Sequence, residues 1–281
     1  MRKKILIFVF CVALSGFSIY PTIASSFPKE LENVVITLSD LPAGFHSGVQ
    51  STTNDSRGAG WLTNNHRGTD TPIQGLRQGF SCGAITWSFK LGFFPSSQQA
   101  REGAPTAILT ESTLYINKRV PGSFSGNSFG DTCFYWDFNL EPFELRQSVS
   151  GGLRKKLLSF SKGRYAVLVS GFSQSEEIDQ GLLEQLAKKT ETKIDVAIAL
   201  DGFDSQLPLQ IQHQGIRQSL QAKLDVFTKN YQKGKYKTAL NNINAFINEL
   251  NAQRGKHVSE SAYQMLKAYA DTIVLSLNAL M

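Results

Sequence analysis

Residues 156–198 read KLLSFSKGRYAVLVSGFSQSEEIDQGLLEQLAKKTETKIDVAI. The first half holds two runs rich in branched and aromatic residues, Lys156–Phe160 and Tyr165–Ser170, joined across the turn signal Lys162-Gly163. Two strands with so short a link are antiparallel neighbours. In the second half the apolar period lengthens to about 3.6, with Ile178, Leu182, Leu186, Ile194 and Ile198 on one stripe. Ser173 and Glu176 stand at capping-box spacing ahead of it, and a break is expected near Thr190. Strand, turn, strand, helix in that order predicts an α+β domain, an antiparallel sheet with a packed helix on one face.

Working back toward the N-terminus, further strand-like runs occur at Val34–Leu38, Ala84–Phe94, Thr113–Asn117, Cys133–Phe138 and Leu145–Val149. Gly151-Gly152 marks a turn after the last of these, so a β-meander is expected. Trp87, Phe89, Phe134 and Trp136 are core residues at strand spacing. Two polar stretches, Gly48–Gln74 and Gly122–Thr132, interrupt the pattern. Trp61 lies in the first, and a ring in such a loop is a candidate ligand contact by stacking; its alternative is a plug at the edge of the core.

Two cysteines besides Cys11 are present, Cys82 and Cys133. Alternation along Ile85–Phe93 and along Phe134–Phe138 puts both on the polar parity of their strands, which predicts a Cys82–Cys133 disulfide on one face of the sheet. A loop of that length would contribute roughly 4 kcal/mol on chain-entropy grounds. The rival is a catalytic thiol in Ser81-Cys82-Gly83, served by His46 or His66.

The first residues form a basic start, Arg2-Lys3-Lys4, an apolar run from Ile5 to Ile19 and the exit Pro21-Thr22-Ile23-Ala24. These are the parts of a secretory signal, 1–24, with cleavage after Ala24. The mature chain is therefore expected to be extracytoplasmic, periplasmic or secreted, with no transmembrane segment after cleavage. Loss of the leader takes the formal charge from +6 to +3, because it carries three basic residues and no acidic ones. So small a surplus argues against a nucleic-acid partner. With 41% hydrophobic residues the chain has ample material for a core.

Toward the C-terminus Leu207-Pro208 and Gln210–Gly215 read as a linker, 207–215, closing an α+β domain that occupies 27–206. Beyond it every segment has helical period: Ile216, Leu220, Leu224, Phe227 and Tyr231; then Tyr236, Leu240, Ile243, Ile247 and Leu250; then Val258, Ala262, Leu266, Tyr269 and Ile273. Gly234 and Gly255 stop the first two. Short connections make antiparallel neighbours, so 216–281 is expected to be a three-helix bundle.

The series Leu220-x3-Leu224-x2-Phe227, Ala239-Leu240, Asn244-Ala245-Phe246-Ile247, Ala252-Gln253-x-Gly255-Lys256 and Ala270-x2-Ile273 resembles the FIMAH domain. That is a small helical appendage at the C-terminus of secreted bacterial proteins, often glycan-acting enzymes. The resemblance covers about a quarter of the chain and implies no catalytic residue here.

Chemistry is sparse. There is no phosphate loop, dinucleotide glycine motif, zincin pair, Gly-x-Ser-x-Gly elbow or calcium loop in the sequence. His46, His66, His213 and His257 are scattered singly. Asp131 and Asp137 flank the aromatic strand without a surrounding motif, which suits turn and strand-edge roles. No catalytic residue, metal ligand or cofactor is therefore assigned. Charge is uneven: from His213 onward there are nine Lys/Arg and four Asp/Glu. Lys229, Lys233, Lys235 and Lys237 gather around the first inter-helix turn as a candidate anion-binding patch, against a role as solvated complements of the helix dipole. The pattern predicts an exported non-enzymatic binding or scaffold protein, partnered by an anionic envelope polymer or another envelope protein. The alternative is a small extracytoplasmic hydrolase with a site assembled from loops.

Overall fold

The computed structural model describes residues 29–53, 74–103, 120–121, 129–140 and 153–281. The leader, Trp61, His66 and the expected strands Thr113–Asn117 and Leu145–Val149 lie outside the described residues. In chain order the elements are α1 (Lys29–Glu32), a 3-10 turn (Leu38–Asp40), β1 (His46–Thr53), β2 (Gln74–Cys82), β3 (Ile85–Phe93) and α2, helical at 97–103. Then follow β4 (Val120–Pro121), β5 (Thr132–Leu140), β6 (Leu153–Lys162), β7 (Tyr165–Ser173), α3 (Gln180–Gln210), α4 (Gln214–Gln232), α5 (Tyr236–Gln253) and α6 (Glu260–Leu280).

The strands form one antiparallel sheet in the order β1-β2-β3-β7-β6-β5-β4. The α+β class and the terminal helical bundle are as the sequence predicts. The expected β6–β7 hairpin turns at Gly163, whose φ of +55° is a backbone state that residues with a Cβ rarely adopt. One face of the sheet packs on the first half of α3: Trp87, Phe89, Leu158, Val167 and Val169 bury against Leu183, Leu186, Ala187 and Ile194. Full burial of each such side chain contributes about 1.5–3 kcal/mol.

Three local expectations are corrected. Val34–Leu38 is not a strand; the Gln78 amide accepts from Ile36 N–H at 3.0 Å and donates to Ile36 O at 2.8 Å, taking the place of a strand partner. Ser173 does accept from Glu176 N–H at 3.0 Å, but α3 starts later, where Asp179 accepts from Gly181 N–H at 2.7 Å. The break near Thr190 is absent, because Thr190 Oγ1 donates to the Leu186 carbonyl within a continuous helix.

Continuity of α3 also alters the expected linker, since residues 207–210 are its last turn. Pro208 lacks an N–H, which normally breaks a helix interior. Here Leu207 and Ile211 are fully buried and hold the turn in place. Phe203 and Leu207 of α3 join Leu224 and Phe227 of α4, Phe246 and Leu250 of α5 and Leu266 and Ile273 of α6 in a second core. The expected three helices are all present, and the second half of α3 makes a fourth wall. Phe203 meets the Phe246 ring edge-on at 4.9 Å and the Tyr269 ring at 5.5 Å. Among the described residues no helix is long and apolar enough to cross a membrane.

Candidate functional site

The cysteine pairing is contradicted. Cys82 ends β2 and Cys133 is the second residue of β5, and β3, β7 and β6 lie between them. Four strand spacings amount to about 19 Å, whereas a disulfide needs Cα atoms within about 7 Å. Both thiols are free and half-buried. Neither cysteine is on the polar face: Cys82 lies with Phe80 and Cys133 with Tyr135, both on the α3 side with the core. Alternation fixes the face a residue shares, not which strands are neighbours. Burial pushes the Cys133 thiol up to about 11. A Cys82–His46 dyad also fails, because His46 pairs with Ser81 and so projects from the opposite face of the sheet to Cys82. Asp131 takes the turn role expected of it, accepting from Gly163 N–H at 3.0 Å, and lies 3.6 Å from Arg101. Asp137 lies 3.7 Å from Lys156.

Where the bundle meets the sheet domain, polar groups are concentrated and buried. Lys193 of α3 sits 2.8 Å from Asp40 Oδ2 and donates to the Val35 carbonyl at 2.7 Å. Its ammonium also lies over the rings of Tyr231 and Tyr236, at 5.5 and 5.7 Å. Tyr236 O–H donates to Asp40 Oδ1, Thr37 N–H donates to Asp40 Oδ2 at 2.7 Å, and Tyr231 O–H donates to the Asn33 carbonyl at 3.1 Å. Burial acts to raise the Asp40 carboxyl, but Lys193, Tyr236 and Thr37 hold it below the ordinary carboxylate range. Burial and the neighbouring carboxylate drive the Tyr236 hydroxyl far up. Every member has a partner, so the cluster clamps α4 and α5 to the segment Asn33–Asp40.

The clamp fixes the basic turn. Gly234, at φ +68°, faces Ser39 so closely that a Cβ would collide with its Oγ. Lys229, Lys233, Lys235 and Lys237 around it are all exposed. Among the described residues none of the four lies within ion-pair distance of a carboxylate. At the other end of the bundle the His213 and His257 rings approach to 4.4 Å. His213 Nδ1 accepts from Ile216 N–H at 3.3 Å as the N-cap of α4, a capping role that its isolated position in the sequence does not signal. Among the described residues no group of three His, Cys, Asp or Glu could hold a metal ion.

The sheet face turned away from α3 also carries charge that strand periodicity alone did not expose. Arg77 of β2 stands directly across from Lys90 of β3, and Lys155 of β6 lies on the same face, in register with Phe172 of β7. Burial, then Arg77 and then Lys155 push the Lys90 amine down to about 7. Burial and Arg77 push Lys155 down to about 8. The signal that could have found this cluster is the strand order, which no single-strand pattern contains. A groove on the other side, between residues 35–38 and β1–β2, presents Thr37, Ser47 and Gln78 but no titratable group.

Comparison with known proteins gives limited matches. No curated protein matches the chain. The extracellular domain of PknH from Mycobacterium tuberculosis is similar at 10% identity, over 56% of this chain and 92% of that one, with a TM-score of 0.37. Residues 209–274, which span α4, α5 and most of α6, match the family model of the FIMAH domain.

Proposed function

We propose that the chain is an exported, non-enzymatic binding or scaffold protein of the cell envelope or exterior, whose helical end engages an anionic envelope polymer. The basic-apolar-small leader and the FIMAH match over 209–274 support the extracytoplasmic setting. The observation that carries the reading is the α4–α5 turn. Four exposed lysines there lack carboxylate partners within the described residues, on a turn held against Ser39 and Thr37 by a buried clamp. A rigid cluster of like charge keeps its spacing without an ordering cost on binding, and it meets a polyanion as a fixed array.

The test is retention of the chain on an immobilised polyuronate, alginate, across a salt series. Exposed charges are screened beyond about 8 Å at physiological ionic strength, so retention should fall steeply as salt rises. Replacing Lys229, Lys233, Lys235 and Lys237 together by Gln should abolish it and leave helicity unchanged, since none is buried in the bundle. Retention that ignores salt, or survives the fourfold change, overturns the reading.

A further inference from the structure

We infer that the groove beside β1 and the basic α4–α5 turn form one continuous track for a uronate-type polysaccharide, with carboxylates on the lysines and an uncharged sugar ring in the groove. The inference rests on the anionic-polymer reading of the turn and narrows the polymer to a glycan. Residues Thr37 to Ser39 join the two places. Thr37 and Leu38 line the groove, and Ser39 Oγ faces Gly234 so closely that a Cβ there would collide with it. Thr37 Oγ1 lies 2.7 Å from Ser39 Oγ and 3.8 Å from the same Cβ position. Lys233 and Lys235 are the chain neighbours of Gly234, each about 3.8 Å away at Cα. A polymer leaving the groove past Ser39 therefore meets the lysines directly.

The lining of the groove selects the class of polymer. It encloses about 220 Å³, and its floor is made low by glycine. Gly48 of β1 stands so near β2 that a Cβ would fall 2.9 Å from the Gly79 carbonyl oxygen, at the bulge between Ser47 and Gln50. Ser47 is exposed and pairs with Phe80, so its hydroxyl and the Phe80 ring lie on the same side of the sheet. Leu38, 47% exposed, adds a second apolar wall. Apolar walls with a few placed hydroxyls are the usual make-up of a small-molecule cleft. A sugar ring matches both, because its C–H face packs on Leu38 and Phe80 while its hydroxyls pair with Ser47 and Thr37, each able to donate and accept. A polyphosphate has no apolar face and would use the lysines alone. On a uronate chain the groove contact follows the lysine contact as an intramolecular step, so two weak contacts reinforce each other.

Calorimetric titration of the purified chain at constant ionic strength, with an alginate oligosaccharide and separately with polyphosphate of equal charge, tests the track. The oligosaccharide should bind about tenfold or more tightly than the polyphosphate. Ser47→Phe fills the groove and Leu38→Ser removes one apolar wall. Both positions are exposed, and a thermal melt matching that of the parent checks that each variant folds. Each should weaken oligosaccharide binding about tenfold or more and leave polyphosphate binding as it is. Equal binding of the two polymers by the parent chain, or unchanged oligosaccharide affinity in both folded variants, overturns the inference, as does a folded variant that loses both polymers alike. The fourfold lysine variant separates this from the broader reading. If it abolishes binding while the groove variants change nothing, the turn stands as the polymer site and the groove falls. Binding of polyphosphate alone likewise keeps the turn and overturns the glycan, and no binding of either polymer by the parent chain overturns both.

Discussion

Lys193 and Asp40 form an ion pair at 2.8 Å with 3% and 0% of their side chains exposed. One lies at the middle of α3 and the other in the segment that leads into β1. Removing one partner strands the other charge in a dry site. Asp40→Ala is therefore expected to cost about 3–5 kcal/mol. Denaturant unfolding measures it, and a cost near that of a surface pair, about 0–1 kcal/mol, would show that water reaches the site. Replacing Asp40 and Lys193 together by Leu and Met should cost less than the single change.

The same carboxyl sets an acid limit. Its folded value lies below the ordinary one, so the stabilisation is fully present above about pH 4, the unfolded value. It is lost progressively as pH falls through the depressed folded value. Thermal melts should show a steep loss of stability on acidification below about pH 4 that is shallower in Asp40→Asn, which has no proton to take up at that position, the remainder coming from groups such as Glu191 whose folded values are also lowered.

α3 belongs to both cores, with Ile194 in the first and Phe203 in the second. Heating or denaturant should therefore give one cooperative transition reported alike by far-ultraviolet circular dichroism and by tryptophan fluorescence. Limited proteolysis should spare 207–211, where the backbone is helical and Leu207 and Ile211 are buried. Two separated transitions, or early release of the bundle by cleavage there, would show that the helix parts at Pro208.

Four strand spacings, about 19 Å, separate Cys82 from Cys133 across the sheet alone, and they also lie toward opposite ends of it, so thiol titration of the denatured protein without reductant should find both unmodified. In the native protein Cys133 should react slowly near neutral pH and faster as pH approaches the raised value of about 11, because the thiolate is the nucleophile. Mass spectrometry of a Cys82–Cys133 linked peptide would contradict the strand order itself.

Local pattern made much of this fold readable. The apolar stripe through Leu220, Leu224 and Phe227 and the alternation through Trp87, Phe89 and Leu91 each report a buried face directly. β1 was hidden because its sequence, His46–Thr53, is polar and carries a bulge between Ser47 and Gln50. Cys133 was misplaced because β5 alternates weakly, with Tyr135 on the core face and Phe134 half-buried on the other. The clamp depends on Asn33–Asp40 meeting Tyr231 and Tyr236 nearly two hundred residues away. Such a meeting is a property of the assembled chain. The lysines of the α4–α5 turn were legible because they are neighbours in sequence, and the Arg77–Lys90–Lys155 group was not, because three strands must first be ordered.

The FIMAH match begins at residue 209, but the physical unit begins earlier. A bundle cut there would lack Phe203 and Leu207 and leave Phe246, buried to 0% exposure, turned toward water. The helix that closes it also roofs the sheet. Transplanting the bundle to another protein would thus require carrying α3 from about Val196, and deleting it would leave the sheet domain with a helix greasy on two sides. In this chain the bundle is grafted on rather than threaded on, so the two parts are free to diverge in sequence only where α3 does not hold them to a common surface.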